Sequence, residues 1–164
     1  MKVIFLDIDG VLNSVESAMA LGGYPYLLDQ IELFDNVAMG LIQRLVRQTG
    51  AKVVISSTWR KTHDVAEFEP ALVIPVIGKT CNSRSGRRGE EIAVYLEENP
   101  QIENYVIIDD DSDMLECQLD NFVKTSGLVG FTIHDYTKAC RVLGTPDTQI
   151  EYYINACNNL KGSQ

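Results

Sequence analysis

With 164 residues, 45% of them hydrophobic, the chain has the size of one ordinary domain and can bury a continuous core without disulfide or metal staples. Its net charge of −9 makes the overall field repel polyanions, which argues against tight, non-specific nucleic-acid binding unless a local basic patch or a bound cation reverses it. No apolar run approaches the ~18 residues of a membrane span. Cys81, Cys117, Cys140 and Cys157 lie far apart with no CxxC pair, and Met1 leads directly into an apolar run, so the expectation is a soluble, cytoplasmic protein with reduced thiols and no membrane partner.

Lys2–Leu6 (KVIFL) is an apolar run that stops at an acidic, glycine-containing segment, as expected of a central parallel strand buried on both faces. Residues 13–34 are longer than a normal strand-to-helix connection. With Gly22-Gly23 and Tyr24-Pro25-Tyr26, they read as a flap or minimal cap able to fold over a crevice at the strand end. Val37, Leu41, Ile42, Leu45 and Val46 then recur at helical spacing, with Asp35 or Asn36 to cap the start and Gly50 the end. A second strand, Lys52–Ile55 (KVVI), ends in Ser56-Ser57-Thr58, and a weaker one is expected over residues 72–77. A helix over 90–98 carries Ile92, Val94, Tyr95 and Leu96 and closes at Asn99-Pro100. It feeds a strong strand at 105–108 (YVII) that ends in Asp109-Asp110-Asp111. A short strand over 122–125 and helices over 136–143 and 148–158 complete the pattern. No repeat, low-complexity tract or domain boundary interrupts residues 1–164. The alternation predicts an α/β, doubly wound, mostly parallel Rossmann-like sheet with little or no cap domain.

In such sheets the ligand crevice lies beyond the carboxyl ends of the strands, where all three strong strands deposit their polar residues. Asp7-Ile8-Asp9-Gly10 places two carboxylates two positions apart, and Gly10 permits the turn that brings both into one crevice. One carboxylate, kept ionised beside a cation, can attack phosphorus, and the other can pass a proton to the leaving oxygen and later take one from water. A lone DxD is more often a solvated turn or cap. Here Asp109, Asp110, Asp111 and Asp113 crowd the end of another strand, a concentration of charge that is costly without a cation. Oxygen ligands with no histidine or thiolate cluster point to Mg²⁺, bound by some of the four, the rest being caps or solvated. Ser56 can hold a non-bridging phosphate oxygen, as an alternative to plain capping. Arg60 is a candidate for a second anionic group, and Trp59 either stacks on a base or packs. The positive group that a phosphate transition state needs is sought in the basic stretch Lys79, Arg84, Arg87 and Arg88. Arg88 ranks first, because it starts the helix leading to the acidic strand, then Arg87, then Lys79. His63 and His134 fit no nucleophile or zinc pattern and are expected at surface or partly packed sites. The absence of GxxxxGK[ST] and GxGxxG motifs removes most support for nucleotide-dependent kinases and dinucleotide oxidoreductases.

Taken together these segments resemble the haloacid dehalogenase superfamily from residue 2 to about Thr132. DIDGVL (residues 7–12) matches its first motif, VVISS (53–57) its second, a basic residue before a helix its third, and VIIDDD (106–111) its fourth. SSTWR (56–60) and RGEEI (88–92) are similar to a small branch of phage and bacterial members, some of them discussed as nucleic-acid repair phosphatases. The resemblance implies an aspartyl-phosphate mechanism with Asp7 as nucleophile, Asp9 as acid and base, Arg88 as counter-charge and Ser56 as phosphate binder, beside which Ser57, Trp59 and Arg60 stand as further candidates for substrate contact. It also implies a Mg²⁺ site made by Asp7, the Asp9 carbonyl and Asp110, with Asp109 as a further ligand. The family more often has lysine where Arg88 stands, and the second acidic position favours phosphatase over dehalogenase chemistry. The implied substrate is a small phosphorylated molecule such as a nucleotide, or a nucleic-acid end. Two other functions fit parts of the pattern: a phospho-accepting receiver-type signalling domain, whose motif order differs, and a catalytically silent binding module on the same fold.

Overall fold

A computed structural model of the protein describes residues 1–83 and 86–161. Arg84, one of the basic candidates, lies outside them. Among the described residues, β1 (Lys2–Leu6), β2 (Lys52–Ile55), β3 (Val76–Lys79), β4 (Asn104–Asp109) and β5 (Phe122–Lys124) form one all-parallel sheet in the order β3-β2-β1-β4-β5. That is the doubly wound order with its topological switch at β1, which confirms the expected fold class. A receiver-type sheet has its strands in the order 2-1-3-4-5, so the topology also removes the signalling-domain alternative.

The strand residues alternate between two packed layers. Ile4, Leu6, Val53, Ile55, Val106 and Ile108 face the larger layer, built from α2 (Asn36–Thr49), α3 (Val65–Leu72) and α5 (Ile133–Val142). Val3, Phe5, Val54 and Ile107 face the smaller one, where α4 (Arg88–Glu98) contributes Ile92 and packs Tyr95 edge-on to Phe5. α1 (Val15–Leu21) and α6 (Thr148–Lys161) complete the helices, and short 3₁₀ turns cover Ile31–Leu33, Thr58–Lys61 and Glu116–Asn121.

The three strong strands lie where the sequence puts them, and Asp35 and Gly50 cap α2 as expected. The expected strand over 72–77 is displaced. Residues up to Leu72 close α3, Val73 caps it in the left-handed conformation at φ 55°, and β3 starts only at Val76. Segment 13–34 is not a plain loop, since Ser14 caps α1 through the backbone N–H of Ser17. The four cysteines are unbridged, and no helix among the described residues is long and apolar enough to cross a membrane.

Candidate active site

β1 and β4 pair in register, Leu6 against Ile108, so the residue following each strand's apolar run is a carboxylate at the same height, Asp7 beside Asp109. Asp7, Asp109 and Asp110 each offer an oxygen within 4.8 Å of the others. Carboxyl groups a hundred residues apart in the chain thus converge at the sheet's switch point, as the strand-end argument expects. Two glycines make room for Asp110. A Cβ on Gly10, which has φ +70°, would lie 2.3 Å from the Asp110 carboxyl group, and a Cβ on Gly127 would lie 2.8 Å from its Oδ2. Thr125 ties the two loops together by donating its hydroxyl to the Gly10 carbonyl at 2.9 Å.

The side chain of Asp7 is buried, with Oδ1 accepting the Ile8 N–H at 2.8 Å. Arg88 reaches over from the first turn of α4. Its Nη1 lies 3.5 Å from Asp7 Oδ1 and its Nε 3.4 Å from Asp109 Oδ2. These are charge contacts and not formed hydrogen bonds, for Arg88 Nη1 and Asp109 Oδ2 are both buried without a hydrogen-bond partner. The guanidinium therefore sits between two acids and is saturated by neither.

Burial raises the Asp7 carboxyl above its usual range, against the opposing pull of Arg88 and of the nearby Ser57 hydroxyl. Burial and the neighbouring Asp7 push Asp109 up to about 7, and burial with the Asp7 and Asp111 charges also raises Asp110. All three acids thus shift toward neutrality, the response of a carboxylate cluster with too little positive charge nearby. For Arg88 burial works against the charge, but Asp7, Asp109 and Asp113 outweigh it and keep the guanidinium protonated. The donor set, three hard carboxylates including an orphaned buried oxygen on Asp109, fits Mg²⁺ or a similar divalent ion.

Asp9 faces a different way. Its side chain lies outside the three-carboxylate group and is held by two donors, Asn13 Nδ2 to Oδ1 at 2.9 Å and Trp59 Nε1 to Oδ2 at 2.9 Å. Trp59 is 8% exposed, packed between Phe34 and His63, so the indole is a support for Asp9 and not the open stacking face allowed for in the sequence. Arg60 also differs from expectation. Its guanidinium is buried, with Nη2 ion-paired to the buried Glu91 and Nη1 hydrogen-bonded to the carbonyls of Ser56 and Ser57, so that only the buried Nε lacks a partner and no exposed face is left for a second anion. Glu91 in turn accepts the Ser83 N–H, so Arg60 braces the turn after β2 against α4, the helix that carries Arg88.

The two serines after β2 divide the work. Ser56 is fully buried and its hydroxyl has no partner, while the buried Ser57 hydroxyl accepts the Trp59 N–H at 3.4 Å. Lys79 donates to the carbonyls of Arg60 and His63, away from the carboxylates, and Arg87 is exposed beside Glu90. Of the described basic candidates, Arg88 is the one paired with Asp7 and Asp109. Asp113 accepts the Arg88 backbone N–H at 2.7 Å and so serves α4 as a cap, the fate expected of some of the acidic cluster. Asn13 and Gly127 were absent from the sequence expectations. Asn13 had a local signal, lying four residues after Asp9, whereas nothing near Gly127 in the chain announces its contact with Asp110.

Acids at the ends of β1 and β4, with a hydroxyl pair at the end of β2 and an arginine entering from α4, define a haloacid dehalogenase-type domain, a class of phosphatase-type hydrolases. More narrowly, the chain belongs to the family of such domains in Swiss Army Knife RNA repair proteins, whose profile matches residues 3–136. No curated protein and no solved structure matches it.

Proposed function

We propose that the protein is a Mg²⁺-dependent phosphomonoesterase that works through an aspartyl-phosphate on Asp7 and acts on a nucleotide or on a nucleic-acid end. The observation that carries this reading is the gathering of Asp7, Asp109 and Asp110 at one point, with Arg88 beside them and hydrogen-bonded to none of them. The family's association with RNA repair supports the substrate class.

Asp7, Asp109 and Asp110 would hold the ion, with the Asp9 carbonyl implied as a further ligand. Bound there, Mg²⁺ supplies the positive charge that offsets repulsion between the Asp7 carboxylate and a phosphate dianion. The Ile8 N–H fixes the rotation of the Asp7 carboxylate for attack on phosphorus, with the Arg88 charge beside it. As the Asp7 oxygen bonds to phosphorus and the ester P–O bond breaks, Asp9 delivers its proton to the departing oxygen. Asp9 then takes a proton from water, whose oxygen displaces Asp7 from phosphorus and releases inorganic phosphate. Trp59 and Asn13 hold the Asp9 carboxylate in one orientation through both steps. Ser56 and Ser57 supply hydroxyls, and Arg88 a fixed charge, for the non-bridging oxygens.

Phosphate release from sugar phosphates, nucleoside monophosphates and 3′- or 5′-phosphorylated oligonucleotides, with and without Mg²⁺, tests the reading. Mg²⁺-dependent release, strongest from the nucleotide and oligonucleotide substrates, is expected. Failure to release phosphate from any ester in the panel would overturn it.

A further inference from the structure

Asp9 stands at the edge of an open cleft of about 550 Å³, inside the range of roughly 300–1,000 Å³ typical of small-molecule sites. One wall is Trp59 with Asn13, and the other is Tyr24, Pro25 and Tyr26 from the segment between α1 and the next 3₁₀ turn. Tyr24 is 41% and Tyr26 79% exposed, an unusual placement for two large aromatics on either side of a proline. The backbone from Tyr26 onward is nonetheless tied down, since the N–H groups of Tyr26 and Leu27 both donate to Gln30 Oε1, at 2.8 and 3.1 Å.

On the phosphomonoesterase reading, on which this inference rests, the oxygen that leaves phosphorus must reach Asp9. The rest of the leaving alcohol then has to occupy the space next to Asp9, which is this cleft. Its charged lining consists of Asp9 and Asp110, and no lysine or arginine is among the described residues that line it. A second phosphate placed there would meet two acids and no cation. A neutral group with a flat aromatic part and hydroxyls matches the lining better: rings from Tyr24 and Tyr26, and polar side chains from Asn13, Thr58 and Thr62.

We propose that Tyr24 and Tyr26 form a nucleobase-stacking subsite for the nucleoside that carries the scissile phosphate, and that this cleft selects monophosphate ends over nucleoside diphosphates. The chain has a single tryptophan, and Trp59 lines the cleft, so its fluorescence reports occupancy. Adenosine 5′-monophosphate, adenosine 5′-diphosphate and ribose 5-phosphate are titrated, with Mg²⁺, onto full-length protein carrying Asp7→Asn so that no ligand is consumed. The monophosphate is expected to bind about 5- to 100-fold tighter than ribose 5-phosphate, the range a stacked base contributes, and more tightly than the diphosphate. Adding Tyr24→Ala with Tyr26→Ala should bring the nucleotide-to-sugar ratio close to one, and Tyr24→Phe with Tyr26→Phe should restore it. Equal binding of nucleotide and sugar phosphate, a ratio unmoved by the double alanine variant, or diphosphate binding as tight as or tighter than the monophosphate would overturn the proposal. The readout is separate from hydrolysis. Preferential nucleotide binding without phosphate release from the unmutated protein would keep the subsite and remove the hydrolase reading, and release with a flat binding ratio would do the reverse.

Discussion

Two buried carboxylates in this molecule have opposite surroundings. Asp147, at the start of α6, accepts the Arg44 Nε–H at 2.9 Å and the Tyr136 hydroxyl at 2.7 Å on Oδ2, and the Ile150 N–H at 3.2 Å on Oδ1. Burial alone would disfavour its charge, but those donors outweigh burial and lower its pKa below the usual 3.8. Asp109, hidden more deeply, has an oxygen with no hydrogen-bond partner, and burial with the Asp7 charge pushes it up to about 7. One network is saturated and joins α2, α5 and α6. The other is left short of positive charge at the mouth of the sheet, where the proposed substrate would arrive. The contrast separates a polar group that holds the fold from one left costly, whose cost the proposed chemistry would use.

The largest effect expected lies on the costly side. Asp7→Asn should lower phosphate release by at least about 10⁴-fold while the denaturation midpoint stays the same or rises, since one charge is removed from a crowded site. Wild-type turnover in that variant would remove the nucleophile. On the saturated side Asp147→Ala should do the opposite, costing roughly 2–3 kcal/mol in urea unfolding by stranding Tyr136 and the Ile150 N–H, with kcat little changed. A loss of activity without a loss of stability would erase the distinction between the regions. Trp59→Phe keeps the packing against Phe34 and His63 but deletes one donor to Asp9, and should lower kcat about 5- to 30-fold with KM nearly constant. A change in KM alone would mean that Trp59 contacts substrate and does not position Asp9.

The two acids also predict opposite responses to pH in metal-free protein. Asp109 has a raised folded pKa, so its contribution to stability is complete below the unfolded value of 3.8 and is lost as pH rises through about 7. Asp147 has a lowered one, so its contribution is complete above 3.8 and is lost as pH falls through its folded value. Thermal melts of Asp109→Asn should therefore lose much of the decline in Tm between pH 4 and 7 that the unmutated, metal-free protein shows. An unchanged decline would place its origin elsewhere.

Much of this division is legible in the sequence because parallel strands bring their carboxyl ends to a common edge. The apolar runs locate β1, β2 and β4, and the acids that follow the runs of β1 and β4 converge without further information. Residues just past a strand are harder. Trp59 and Arg60 lie in a 3₁₀ turn capped by Ser57, which directs their side chains back into the protein, and neither period two nor period 3.6 reports such a turn. The same limit hides α1, whose box closes through Ser17 in place of the usual Glu or Gln. α3 carries a readable signal, with Glu67 accepting the Asp64 N–H at 2.6 Å, but Pro70 within the helix masks it. The Tyr136–Asp147–Arg44 network joins three helices through long-range contacts that no local pattern encodes.

Calorimetric titration of the protein with Mg²⁺ near pH 7, repeated in buffers of different ionisation enthalpy, tests the central claim most directly. The account predicts one site, proton release on binding as the raised carboxyl groups ionise, and loss of the site in Asp110→Asn. No binding, or binding without proton release that survives Asp110→Asn, would contradict it.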